Sequence, residues 1–178
     1  MITIMSQSIS ELFTGCRNRR FAPGETVFHT GDPILHVYLV REGSAALVRT
    51  LPSGDQAYLQ RAGKGEVLAE ASVYAERYHC DCVALGPTVL AALSCTTFRQ
   101  ALRKDADLAE TWAAQLSRTV QRARMRAEIR SLKTVTDRLD AWLAEYGQLP
   151  GKGQWQGVAN ELSVSREALY RELARRRR

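Results

Sequence analysis

The stretch from Asp105 to Lys133 contains neither proline nor glycine, and this feature constrains the fold more than any other part of the sequence. Both residue types interrupt helices, so their absence over this length predicts one long helix. Small and apolar side chains recur along the stretch at steps of three and four residues, which places them on one face of that helix. They are Leu108, Trp112, Leu116, Thr119, Ala123 and Ala127.

Two interpretations of this apolar stripe are open. The helix could pack on its own domain, or it could pair with the same helix of a second copy. At about four heptads it is longer than a small β-domain can cover, which favours pairing. We therefore predict a homodimer held by these positions, and we expect Trp112→Asp or Leu116→Asp to abolish it.

Residues 20–95 show a different pattern, in which short apolar runs alternate with glycines roughly ten residues apart. The runs are Thr26–Phe28, Val37–Val40, Ala45–Val48, Ala57–Leu59 and Val89–Leu93. The glycines are Gly24, Gly31, Gly43, Gly54 and Gly65, and turn pairs occur at Gly31-Asp32 and Gly54-Asp55. This rhythm predicts a small antiparallel β-roll, so that the whole chain belongs to the α+β class.

The predicted domain order is a β-roll at 1–104, a dimerisation helix at 105–133 and a small helical domain at 134–178. Within the last domain we expect a helix from Thr136 to Tyr146 and a loop from Gly147 to Gly153, which contains a proline.

Charge and composition narrow the possible partners. The chain has 25 Lys and Arg against 19 Asp and Glu, a net charge of +6, and 45% hydrophobic residues, as expected of a globular protein. The excess of positive charge lies mainly at 17–20, 118–130 and 166–178, which favours a polyanionic partner, although each cluster could also be a solvated surface. No apolar stretch approaches the roughly 18 residues of a membrane span, and residues 1–10 lack signal-peptide features, so we expect a cytoplasmic protein.

The C-terminal segment Gln154–Arg178 has the apolar spacing of two short helices packed across a turn. The side chains that can face inward are Val158, Ala159, Leu162, Leu169 and Leu173. We predict the turn at Ser163–Ser165, with Val164 filling it and the Ser165 hydroxyl capping a second helix that begins at Arg166. This arrangement is a helix-turn-helix.

The first turns of the second helix carry polar side chains that suit a DNA major groove: Ser165, Arg166, Glu167, Tyr170 and Arg171. Arginine donates to guanine O6 and N7, and glutamate accepts from cytosine N4. Glu167 and Arg171 are four residues apart, so each can hold the rotamer of the other. The alternative is a basic amphipathic helix whose charged face is merely solvated.

Taken together, a β-roll, a long helix and a C-terminal helix-turn-helix resemble the catabolite activator and fumarate-nitrate regulator (Crp/Fnr) family of bacterial transcription factors. The matching stretches are Gly24–Asp32, Val40–Ser44, Gly65-Glu66, Thr97–Arg99 and Ser165–Arg171, of which the last is the most specific. The resemblance implies a cyclic-nucleotide-binding-like β-roll. It also implies that Arg166, Glu167 and Arg171 read a TGTGA-like half-site, and that a dimer binds two inverted half-sites of double-stranded DNA about one helical turn apart. RNA polymerase is a further expected partner.

The chain departs from this family at two places. Where family members that bind cyclic nucleotide have an Arg-Ser or Arg-Thr pair for the phosphate, this sequence has Tyr78 and His79, with Arg77 one position early. A neutral phenol cannot neutralise a phosphate, so cyclic nucleotide is disfavoured as the effector unless a shifted register brings in Arg77. The family's β-hairpin wing after the recognition helix has no counterpart, so we expect residues 175–178 to supply phosphate contacts or DNA binding to be weak.

Cys80 and Cys82 are the most unusual chemical groups in the N-terminal half. Two residues apart on a strand, they would point to one face at about 6.6 Å between α-carbons. Two such thiolates could bind Cu(I), which accepts two sulfur ligands, or could serve thiol-based redox sensing. The alternative is that both are small buried apolar residues, as we also expect for the isolated Cys16 and Cys95.

These features predict a sequence-specific DNA-binding transcription regulator that is controlled by an effector through the β-roll. The alternative is an effector-binding β-roll that regulates a protein partner and carries a vestigial DNA-binding domain. The three histidines have no neighbouring nucleophile or carboxylate pattern, so the sequence gives no support for an enzyme.

Overall fold

The computed structural model describes residues 8–50, 56–151, 153 and 155–177. The chain divides into two compact units between Ser117 and Arg118. We call them the N-terminal and C-terminal units. Three predicted features lie outside the described residues: the Gly54-Asp55 turn, the start of the helix-turn-helix at Gln154, and Arg178.

The N-terminal unit contains two four-stranded antiparallel sheets with the strand orders β1-β8-β3-β6 and β2-β7-β4-β5. The strands are β1 (Arg17–Phe21), β2 (Thr26–Phe28), β3 (His36–Glu42), β4 (Ser44–Thr50), β5 (Gln56–Gly63), β6 (Val67–Leu68), β7 (Asp81–Ala84) and β8 (Thr88–Ser94). All five predicted apolar runs lie in these strands, which confirms the β-roll. The sequence interpretation had treated the start of β1 only as a basic cluster.

Strand β3 of the first sheet is buried on both faces, and its alternate residues point to opposite sides of the sheet. On β3, Val37 and Leu39 join a cluster with the 3₁₀ helix Ile9–Phe13, whereas Tyr38 and Val40 join the cluster enclosed by the two sheets. A turn at Gly43 links β3 to β4 with φ of +76°, and a Cβ there would lie 2.2 Å from the Pro87 carbonyl oxygen. Glycine is therefore required at this predicted turn.

Two helices follow the strands: α1 (Cys95–Lys104), which Ser94 caps, and α2 (Ala106–Ser131). Leu108 and Trp112 are only 1% and 3% exposed, and the Trp112 ring meets Phe98 edge-on at 5.0 Å between centroids. These two side chains therefore complete the core of their own unit, and the prediction that they lie in a dimer interface is corrected. Packing on the chain's own domain accounts for the first turns of α2.

The rest of the apolar stripe on α2 is progressively more exposed. Leu116 is partly buried against the same cluster, Thr119 is half-buried, and Ala123 and Ala127 are exposed. Val120, beside them, is 48% exposed although it is a large apolar residue. These later positions remain predicted contacts with a second copy.

The C-terminal unit contains α3 (Val135–Tyr146), α4 (Trp155–Leu162) and α5 (Arg166–Arg175), together with the end of α2. Its apolar cluster includes every side chain that the spacing predicted to face inward: Val158, Ala159, Leu162, Leu169 and Leu173. In the described part of the chain, no helix combines the length and the hydropathy that crossing a membrane requires.

Candidate nucleic-acid interface and β-roll interior

The turn between α4 and α5 is closed by two backbone hydrogen bonds. The Val164 N–H donates to the Ala159 carbonyl at 3.0 Å, and the Ser163 N–H donates to the Asn160 carbonyl at 3.2 Å. This is the Schellman pattern of a helix end, which places Ser163 in the left-handed region with φ of 51°. Val164 packs against the C-terminal cluster, as predicted. The two helices are thus joined by a defined turn.

Two arginines hold the end of α4 from other helices. Arg130, on α2, donates from Nε to the Glu161 carbonyl at 2.9 Å. Arg138, on α3, donates from Nη1 to the carbonyls of Leu162 and Ser163 at 3.1 and 3.2 Å. Cations are favourable at a helix C-terminus because its free carbonyls carry partial negative charge. The sequence interpretation missed this arginine pair.

The start of α5 matches the prediction. The Ser165 hydroxyl accepts a hydrogen bond from the Ala168 N–H at 3.1 Å, so Ser165 is the N-cap and the helix begins at Arg166. The pKa of Glu167 is lowered chiefly by its own backbone N–H and next by the Ser165 hydroxyl. Its carboxylate is thus stabilised at the helix N-terminus. Among the ion pairs of the described residues, the expected pairing of Glu167 with Arg171 is not formed.

The side chains predicted to read DNA bases lie at the surface. Arg166, Glu167 and Arg171 are exposed, and Tyr170 is half-buried. The Arg166 guanidinium lies over the Tyr170 ring, 5.2 Å from its centroid, and Nη2 lies 3.4 Å from the phenol oxygen. The Tyr170 ring in turn meets Trp155 edge-on at 5.1 Å.

The arginines that end α5 are engaged within the C-terminal unit. Arg175 donates to both oxygens of Glu172, at 2.9 and 3.0 Å, and Arg176 donates to Glu172 at 2.7 Å and to Asp140 on α3 at 2.6 Å. These hydrogen bonds lower the pKa of Glu172 to about 2, with Arg175 the larger cause. The donors of Arg175 and Arg176 thus tie α5 to Glu172 and α3, and phosphate contacts from residues 175–178, with weak DNA binding as the alternative, remain a prediction.

Tyr78 fills the interior of the β-roll. It is 5% exposed, its ring stacks on Phe28 at 3.6 Å, and its hydroxyl donates to the His36 carbonyl at 2.9 Å. Burial is the main cause that raises its pKa, so the phenol stays neutral. Arg77, the candidate in the shifted register, instead donates to the Gly31 carbonyl at 2.7 Å. Neither register therefore places a guanidinium in the roll interior.

A buried carboxylate in the N-terminal unit was not predicted. Glu70 is 5% exposed, lies in a 3₁₀ helix (Glu70–Ser72) and accepts a hydrogen bond from the Gln60 side chain at 3.0 Å. Ser72 is also buried, and its hydroxyl has no hydrogen-bond partner within the described residues. The only sequence signal was the position of Glu70 shortly after the Gly65-Glu66 pair.

Cys80 and Cys82 are both fully buried in the apolar cluster between the sheets. Burial raises the pKa of both thiols, and for Cys82 the pKa reaches about 12, with Cys80 as a second cause. Cu(I) binds thiolates, so this environment opposes the predicted copper site and favours the packing interpretation. Across the described part of the chain, no group of three or more His, Cys, Asp and Glu side chains could hold a metal ion.

Known proteins resemble the chain in both sequence and fold. The cyclic nucleotide-binding domain matches residues 18–105. The cyclic AMP receptor protein of Thermus thermophilus is 28% identical over 124 residues, which are 69% of this chain and 57% of that protein. The global nitrogen regulator of Synechococcus elongatus is 25% identical over 155 residues, which are 84% of this chain and 69% of that protein.

A solved structure shows the same fold over almost the whole chain. The c-di-GMP-responsive global regulator CLP of Xanthomonas campestris superposes with a TM-score of 0.73 at 22% identity, covering 95% of this chain and 90% of its own. The chain spans less than two thirds of the Thermus relative's length. The domain match, the two relatives and the shared fold agree with one another and support the resemblance of the chain to regulators of the Crp/Fnr type.

Proposed function

We propose that this protein is a sequence-specific DNA-binding transcription regulator whose recognition helix is α5. The observation that carries the proposal is the exposed set of Arg166, Glu167 and Arg171 on the first turns of a helix that Ser165 caps. In this proposal the arginines donate to guanine and Glu167 accepts from cytosine in a TGTGA-like half-site. The buried cluster and the closed turn behind α5 support it, because base reading requires a helix held in a fixed orientation.

A homodimer is part of the proposal, because two inverted half-sites require two copies of α5. The surface available for pairing is the remainder of the stripe on α2: Leu116, Thr119, Val120, Ala123 and Ala127. An exposed valine among small residues suits close helix packing. RNA polymerase is the further partner that we propose for the bound regulator.

We further propose that an effector acts through the β-roll and α2. The first turns of α2 pack on the roll through Leu108 and Trp112, and the last turn contacts the end of α4 through Arg130. A change in how α2 packs would therefore alter the support of the recognition helix. Cyclic nucleotide is disfavoured as this effector, because Tyr78 occupies the roll interior. Copper is disfavoured because Cys80 and Cys82 are fully buried in the apolar cluster, and burial raises the pKa of both thiols.

The test is a salt-dependent fluorescence anisotropy titration on a duplex with inverted TGTGA-type half-sites and on a scrambled duplex. We expect Arg171→Ala to reduce the preference for the specific duplex by about 1–3 kcal/mol per half-site, because one bidentate base contact is lost. The matched control is Arg103→Ala, which removes the same charge from an exposed position on α1 and should leave the preference unchanged. Equal affinity of the unmodified protein for both duplexes would refute the proposed function.

A further inference from the structure

Tyr170 contacts the side chain of a proposed base-reading residue and also the apolar cluster beneath it. We propose that Tyr170, seated on Trp155, is a positioning residue that orients the Arg166 guanidinium and so sets the base preference at the position that Arg166 reads. This inference rests on the proposed DNA-binding function. It assigns Tyr170 a role that acts through Arg166, rather than a base contact of its own.

The contact between Tyr170 and Arg166 combines two interactions that restrain the same group. The guanidinium carbon lies 5.2 Å from the ring centroid, and Nη2 lies 3.4 Å from the phenol oxygen. The residues are four apart on α5, so they are neighbours on the helix surface. A guanidinium has five N–H donors, and the contact with the phenol uses one, which leaves donors available for a guanine edge.

The ring of Tyr170 is itself restrained by its contact with Trp155. Its ring meets Trp155 edge-on, with 5.1 Å between centroids and 63° between planes. Trp155 is 7% exposed, and its indole N–H donates to the Pro150 carbonyl at 2.9 Å. Trp155 belongs to the C-terminal cluster, and Tyr170 packs against that cluster. The orientation of Arg166 is therefore tied, through two rings, to the core of the C-terminal unit.

Preordering matters for this residue because arginine is long and loses much rotamer freedom when it binds. A side chain that is already held close to its bound orientation loses less freedom on binding. A fixed guanidinium plane also favours the bidentate contact that distinguishes guanine from other bases. The geometry thus predicts that Tyr170 contributes to discrimination mainly when Arg166 is present.

A double-mutant cycle tests this coupling, with Tyr170→Ala, Arg166→Ala and the double variant compared with the unmodified full chain. The readout is competition between the specific duplex and duplexes altered at single base pairs of the half-site. We expect Tyr170→Ala to reduce discrimination about fivefold, at the same base pair as Arg166→Ala. The double variant should show no further loss relative to Arg166→Ala. Tyr170→Phe, which keeps the ring and removes the hydroxyl, should lie between Tyr170→Ala and the unmodified protein.

A second measurement needs no DNA and uses the NMR signal of the Arg166 Nε–H. The Tyr170 ring should shift this signal, and Tyr170→Leu should return it toward the value of a free arginine, whereas Arg103 should not change. The positioning role would be overturned if Tyr170→Ala reduced discrimination as much in the Arg166→Ala background as in the unmodified protein. It would also be overturned if Tyr170→Leu left the NMR signal of the Arg166 Nε–H unchanged. Neither outcome would contradict DNA recognition itself. If the unmodified protein shows no base preference, the proposed function fails first, and this inference with it.

Discussion

Replacing Trp112 by alanine distinguishes two structural roles for this residue, which are packing in the core of the N-terminal unit and contact with a second copy of the chain. Trp112 is 3% exposed and packs edge-on against Phe98 in the N-terminal unit. Truncating a buried tryptophan to alanine costs about 3–5 kcal/mol through lost burial and the cavity left behind. Because small proteins are stable by only about 5–15 kcal/mol, this loss would be a large part of the free energy of unfolding.

The less severe variant Trp112→Phe makes the prediction quantitative. The indole Nε1 is buried and has no hydrogen-bond partner within the described residues. Removing an unpaired buried donor gains about 1–3 kcal/mol, whereas losing one ring of the indole costs about 1 kcal/mol of apolar burial. We therefore expect the free energy of unfolding of Trp112→Phe to equal that of the unmodified protein or to exceed it by up to about 2 kcal/mol.

The assay is urea unfolding followed by circular dichroism, with hydrogen exchange of β3 and α1 peptides to locate the loss in the N-terminal unit. Sedimentation measures self-association in parallel. The matched control is Val120→Asp, at a position that is 48% exposed, which should weaken pairing without changing the stability of the N-terminal unit. If Trp112→Ala dissociated the proposed dimer while leaving the free energy of unfolding unchanged, the core assignment of Trp112 would be wrong.

Three further predictions concern other parts of the fold. Ser163→Gly should raise the stability of the C-terminal unit by about 1 kcal/mol in thermal unfolding, because residue 163 has φ of 51°; a lower midpoint would contradict this. The pKa of Glu172 in the folded protein is about 2, against an ordinary value of 4.5. The stability that its carboxylate contributes should therefore be fully present above pH 4.5 and be lost as the pH falls toward 2. When stability is measured against pH, Glu172→Gln should lack this loss of stability on acidification. Cys80 and Cys82 are fully buried, so both should react with a thiol reagent only on unfolding, and Cu(I) competition should show no stoichiometric site; rapid native labelling would contradict this.

The sequence predicted those strands whose apolar runs are strong local signals, and it missed β1. That strand reads Arg17–Phe21, is exposed over most of its length, and is defined by pairing with β8 far along the chain. The stripe on α2 was also identified from local spacing. Spacing alone cannot say whether a stripe is covered by the same chain or by another, which is why Leu108 and Trp112 were assigned to the wrong surface.

The same division between local and distant signals holds for the candidate site. The Ser165 cap and the inward-facing side chains of α4 and α5 follow from residues within a few positions of one another. The hydrogen bond from Arg176 to Asp140 joins residues 36 positions apart, and no local sequence pattern predicts it. The tyrosine at position 78 marked a departure from the family, but only the structure shows its stacking on Phe28.

The arginines at the end of α4 donate to carbonyl oxygens of the main chain, Arg130 to that of Glu161 and Arg138 to those of Leu162 and Ser163. Every amino acid supplies the same carbonyl, so substitutions on α4 or α5 cannot remove these acceptors while the helices persist. Under the proposed function, substitutions on α5 could therefore change the DNA sequence that the protein recognises. The hydrogen bonds from α2 and α3 that support the end of α4 would be kept.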